Sequence, residues 1–158
     1  LKGFSGFLRQ SVIFQRGLLY FQPAPPHTKG MVQEFVFAFL FGGWGYVGLE
    51  LLWRGRSHWT MFLAGGLCFS FIYALSTRTA LPLPLQCALS ALMITAVEFL
   101  VGCVVNLALR WNVWDYSGLR YHLLGQICLP YSALWLMLSC PALLLARLIH
   151  NHLFPHLR

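Results

Sequence analysis

With 158 residues, 58% of them hydrophobic and only 9% charged, the chain falls far below the about 25% charged residues of a soluble domain. Its mean hydropathy of +0.66 excludes an ordinary soluble globule and points to a lipid-exposed protein. The net charge of +7 sets eleven Lys and Arg against Glu34, Glu50, Glu98 and Asp115; no Lys/Arg-rich run forms a nucleic-acid patch, so the excess reads as membrane topology and attraction to anionic headgroups.

Residues 1–30 place Lys2, Arg9 and Arg16 among Phe4, Phe7, Leu8, Ile13 and Phe14, with no acid before Glu34. They hold no uninterrupted apolar run, which argues against a secretory signal. Three readings fit: an amphipathic interfacial helix, an acid-poor organellar-type targeting segment, or sequence upstream of a start at Met31. "QPAPPHTKG", ending at Gly30, reads as a linker.

Residues 31–158 form the second unit, in which four apolar blocks follow in order: Phe35–Trp53, Trp59–Leu75, Leu85–Leu109 and Ile127–Ile149. Each approaches the about 20 residues that a helix needs to cross a bilayer. Backbone amides in lipid must be satisfied within the segment, so helices are expected. Trp53, Trp59, Trp111 and Trp114 fall at block ends, as an interfacial aromatic belt would. The expected fold is all-α: a polytopic membrane protein with a bundle of four transmembrane helices, preceded by the amphipathic segment. Gly42, Gly45 and Gly48 offer a close-approach face on the first span, from which a homodimer or a larger complex is expected.

Four spans put both termini on one side. That side carries Lys2, Arg9, Arg16, Lys29, Arg78, Arg147 and Arg158, against Arg54, Arg56, Arg110 and Arg120 opposite. The positive-inside rule then places the termini in the cytoplasm. Without residues 1–30 the counts are three against four, and orientation is undecided.

Acids inside spans are expensive, on the order of 2.5–3.5 kcal/mol at the bilayer centre. Glu98 lies twelve residues before Arg110, about 18 Å along a helix. Glu98, Gly102 and Asn106 recur every fourth residue and share a face. Glu98 is either a protonated group bonding a neighbouring helix or a cavity-lining acid for a cation or proton. Glu50 sits four residues before Arg54, the favourable order for a pair; the alternative makes it part of a polar site in which Arg54 and Arg56 offer guanidinium groups to phosphate or carboxylate.

Spans one and three run the same way, so the loops Arg54–His58 and Arg110–Gln126 lie on one face. The second holds Asp115, Tyr116, Arg120, Tyr121 and His122. It is expected to cap the bundle, anchored by Trp111, Trp114 and Tyr116, with Asp115 in salt-bridge reach of Arg54 or Arg56. The five cysteines sit in apolar stretches without a CxxC pair and read as small buried hydrophobes. His150, His152 and His156 form a loose HxH…H that reads more readily as a solvated end than as a metal site. No nucleophile–base pair or cofactor motif stands out, and a Walker-type phosphate loop is absent, so any use of ATP would need a partner.

"GYVGLELLWRGRSHWTMFLAGGLCF" (45–69) and "VEFLVGCVVNLALRWNVWDYSGLRYHLLGQICLPYSALW" (97–135) resemble a bacterial membrane-protein family labelled putative ABC-transporter type IV, or CmpB-like. An acid ends span one, an RG element and F-L-x-G-G follow, then an acid in span three, W-D-Y-S and G-[QR]-I-C-L. The likeness covers about residues 31–149. It implies a small multi-pass protein of the bacterial cytoplasmic (inner) membrane and, by the label, a permease. The motif positions fall on Glu50, Arg54, Gly55, Glu98, Trp114, Asp115, Tyr116, Ser117, Gly125 and Gln126. Family members often carry an Asn just before the Gly of the last motif, where this chain has Leu123–Leu124.

Three functional classes remain open. A transporter or transport-complex subunit leads, with Glu50, Arg54, Arg56, Glu98, Asn106, Asp115, Tyr116, His122 and Gln126 around a polar site and a separate ATPase as partner. An accessory membrane subunit would use its acids only to hold helices together. An intramembrane enzyme on a lipid headgroup would employ Glu50, Asp115 and His122, and is the less favoured reading.

Overall fold

The computed structural model describes residues 28–154. The expectations for the first 27 residues, and for His156, lie outside them. Four helices account for most of the rest: α1 (Thr28–Arg54), α2 (Trp59–Arg78), α3 (Leu83–Gly102) and α4 (Leu129–Leu153). All four, α3 together with the turn that follows it, are long and apolar enough to cross a membrane. The fold is therefore the expected all-α arrangement of four helices.

Boundaries differ from the sequence reading in three places. α1 begins at Thr28 and takes in the last three residues of the supposed linker. The third block is not one α-helix to Leu109, because Cys103–Ala108 form a π-helical turn. The fourth helix starts at Leu129 rather than Ile127, after a small hairpin pairing β1 (His122–Leu123) with β2 (Ile127–Cys128).

Local chemistry explains the ends. α1 stops at Gly55, whose φ of +69° suits a residue without Cβ and lets its N–H reach Leu51 O at 2.9 Å. The His58 ring accepts the Thr60 amide and caps α2. Proline at the first turns of α3 and α4 occupies positions whose N–H has no partner in the helix. The hairpin turns through Leu124 (φ +51°) and Gly125 (φ +69°), closed by Gln126 N donating to Leu123 O at 2.9 Å. Two positive φ values in succession mark a type I′ turn, whose preferred sequence is Asn-Gly. Leu124 is exposed, so Leu124→Asn loses little packing and relieves a left-handed conformation worth roughly 1 kcal/mol. The expected result is a higher unfolding midpoint in detergent; a lowered one would exclude this turn chemistry.

α2 is the central helix. It packs on α1 and also touches α3 and α4, while α3 and α4 pack on each other. α1 and α2 cross through glycines: Gly42 lies against Gly65 and Phe69, and Gly43 against Phe62. Gly42 is therefore used inside the chain and not as a face for a second copy, a correction to the sequence reading. Gly45 and Gly48 have open space where a Cβ would stand. One apolar core joins Ala38, Phe69, Tyr73, Leu143 and Ala146, and a second joins Met61, Ala64, Val105 and Trp114. Outward faces are apolar, with Leu52, Trp44 and Met137 well exposed, as lipid contact requires.

Candidate functional site

Parity holds at both ends of the bundle. At one end the loops after α1 and after the π turn meet, with Trp111 against His58 and Trp59. At the other, Phe37 of α1 meets Phe154 and Glu34 meets Arg78.

At the first end Glu50 binds Arg54, and its second oxygen accepts the Ser57 hydroxyl at 2.6 Å. Arg54 also reaches Val113 O at 3.5 Å. The cap therefore sits over the Glu50–Arg54 end, but through a backbone carbonyl. Asp115 pairs with neither arginine. Its carboxylate accepts the Ser117 amide and hydroxyl, each at 2.8 Å, and these bonds hold its pKa below the usual carboxylate value. Short polar residues in a turn satisfy one another locally before a distant arginine can. Arg56 is exposed and forms no ion pair among the described residues.

The cap is seated on the face of α3 and the π turn that carries Glu98, Gly102 and Asn106. A Cβ on Gly102 would lie 2.7 Å from Gln126 Oε1 and 3.0 Å from the Trp114 ring. Asn106 donates to Gln126 Oε1 at 2.8 Å and accepts the Val113 amide at 2.7 Å. The Trp114 indole donates to Gln126 O at 2.9 Å. Trp114 is thus buried, whereas Trp53, Trp59 and Trp111 are exposed as a belt would be; the four-tryptophan belt is corrected to three. His122 accepts the Gly125 amide at 3.1 Å and, among the described residues, lies in no ion pair with an acid.

Glu98 is buried and tied to two other segments. Tyr116 of the cap donates to Oε1 and Trp135 of α4 to Oε2, each at 2.8 Å. Burial, and then the charge of Glu98, hold the Tyr116 phenol above its ordinary pKa, so it remains a donor. Glu98 also lines a cavity of about 460 Å³ among all four helices, with Gly45, Met61, Ile94 and Trp135 in its wall. Nearly all of that wall is apolar, and Glu50 is not part of it. The polar site expected to unite Glu50 and Glu98 is thus divided: Glu98 faces the cavity and Glu50 the loop.

The second polar cluster escaped the sequence reading. Glu34, 1% exposed, accepts from Arg78 at 3.0 Å and faces His150 at 3.8 Å. His150 bonds the Tyr73 hydroxyl at 2.9 Å, so it is not a solvated tail residue. Arg147 binds Ser76 and Gln86. The signal that could have found the cluster is parity, which puts Glu34, Arg78 and Arg147 on one face.

Four apolar helices, a loop locked over one end and an acid-bearing cavity between them define a multi-pass membrane protein. The chain belongs to the family described as Putative ABC-transporter type IV, whose model matches residues 30–157. No curated protein and no solved structure matches it.

Proposed function

We propose that this chain is the membrane subunit of a transport complex in the bacterial cytoplasmic membrane, and that its cavity takes the apolar part of an amphiphilic molecule whose polar group meets Glu98. The cavity carries the reading. Its size falls in the roughly 300–1,000 Å³ range of small-molecule sites. Its wall is apolar save chiefly for one carboxyl, a lining that suits a hydrocarbon chain better than a hydrated ion. Glu98 is held in place by two donors from two segments, and a carboxylate so fixed is a preorganised acceptor for an amine or hydroxyl group. Family membership supports work within a membrane complex. Turnover driven by ATP would come from a separate ATPase, and further copies of this chain complete the assembly.

A second reading has its own support. Each of the four acids has an internal partner: Glu34 with Arg78, Glu50 with Arg54, Glu98 with Tyr116 and Trp135, and Asp115 with Ser117. An accessory subunit held together by its acids would look the same.

Gly45→Phe separates the two. Gly45 lines the cavity and has nothing within 4 Å of its Cβ position, so a phenyl ring enters the cavity without a clash at its root. Native mass spectrometry of protein purified in mild detergent should find a lipophilic adduct on the wild type. Gly45→Phe should reduce it by about tenfold or more, the effect of losing about 1.4 kcal/mol, with the unfolding midpoint unchanged or raised. Equal adduct on both proteins would place the ligand elsewhere, and no adduct on either would favour the accessory subunit.

A further inference from the structure

Arg147 is half-buried near the end of α4, where α2 ends and α3 begins. Its guanidinium is held on two sides. Nε donates to Ser76 Oγ at 3.1 Å and Nη2 to Gln86 Oε1 at 2.8 Å. Both acceptors are buried and already oriented. Ser76 Oγ donates to Leu143 O at 3.0 Å, and the Gln86 amide donates to Leu81 O at 3.0 Å and to Thr79 Oγ1 at 3.4 Å.

Both acceptors are also neutral. Among the described residues no carboxylate lies within 4 Å of Arg147. The acid at this end, Glu34, is engaged by Arg78 and His150. The helix termini offer no substitute, because α1 and α3 start at this end while α2 and α4 finish here, so their opposed dipoles largely cancel. A half-desolvated cation without a counter-ion is costly. Among the described residues two of the five guanidinium N–H groups are used, leaving three that can present a fork to an anion with paired oxygens.

We propose that Arg147, set by Ser76 and Gln86, is a binding site for a phosphate group at the bilayer interface. The site is distinct from the Glu98 cavity and does not depend on the function assigned to that cavity. A lipid phosphodiester and a soluble phosphate share the chemistry that Arg147 reads, bidentate acceptance from a guanidinium.

The test uses the full chain in mild detergent, titrated separately with phosphatidylglycerol and with inorganic phosphate, with adducts counted by native mass spectrometry. Arg147→Gln should weaken the bound species by about tenfold, the order of one charge-assisted contact. Gln86→Glu supplies an internal anion beside Arg147, so it should weaken binding equally; its second oxygen no longer donates to Leu81 O and Thr79 Oγ1, so a lowered unfolding midpoint accompanies it. It keeps the proposal testable if Arg147→Gln fails to fold. Arg120→Gln, in the exposed cap at the opposite end, should bind as the wild type does. Phosphatidylglycerol binding that excess inorganic phosphate leaves intact supports a lipid ligand, and competition between the two supports a soluble phosphate. Unchanged binding of both probes in Gln86→Glu and in any folded Arg147→Gln overturns the site.

Discussion

Gly65→Ala is expected to cost about 3 kcal/mol or more, at the upper end of overpacking losses. The added Cβ would lie 2.4 Å from Tyr46 Cβ and 3.0 Å from Gly42 O. Neither neighbour is the free end of a flexible side chain, so α1 and α2 must separate. The same step on α1, Gly42→Ala, meets Phe69 Cβ at 2.2 Å and Gly65 O at 2.8 Å and should cost as much. Gly48→Ala provides the contrast. Nothing lies within 4 Å of its Cβ position, and alanine in a helix gains about 0.5–1 kcal/mol over glycine. Unfolding of the three variants in detergent should therefore give two large losses and one small gain. Equal effects at positions 65 and 48 would mean that the α1–α2 crossing is looser than described.

Much of this fold was legible because hydropathy and span parity are properties of single segments. Four blocks gave four helices, and counting spans placed the Asp115 loop over Arg54. What failed depended on competition between partners. Asp115 has Ser117 two residues away and needs no arginine. Trp114 stands at a block end like Trp111, but its indole finds Gln126 O beneath the cap and is buried. The π turn at Cys103–Ala108 leaves no mark in an apolar run, since Val, Leu and Ala suit either helix. Gly42 and Gly45 look alike in sequence, and only the facing helix tells that one is packed and the other open. The candidate site was half legible. Glu98 was found as a costly acid, yet its partner Trp135 reads as one more apolar residue of α4. Glu34 was passed over because it lies near a helix start, where an acid is ordinary.

Glu34→Ala is the second substitution expected to be severe. The carboxylate side chain is 2% exposed and its partner Arg78 37%, so the pair spans the boundary between packed interior and interface. Arg78 also lies over the Phe35 ring at 5.0 Å, which fixes the guanidinium from a second direction. Removing the acid leaves Arg78 without its anion and deprives His150, bonded to Tyr73, of the carboxylate it faces. Breaking a fully buried pair costs about 3–5 kcal/mol; with Arg78 more than a third exposed, solvent screening brings the expected loss to about 2–3 kcal/mol. Glu34→Gln keeps the shape and an acceptor oxygen, and should lose less. Arg78→Ala leaves a buried carboxylate facing His150 and the Tyr73 hydroxyl but no arginine among the described residues, and should be as harmful as Glu34→Ala or worse. The double variant removes both charges together, so its loss should fall well short of the sum of the two single losses, with the difference measuring their coupling. Additive losses in that cycle would mean that Glu34 and Arg78 stabilise the fold separately, and that the ion pair does not join α1 to the end of α2.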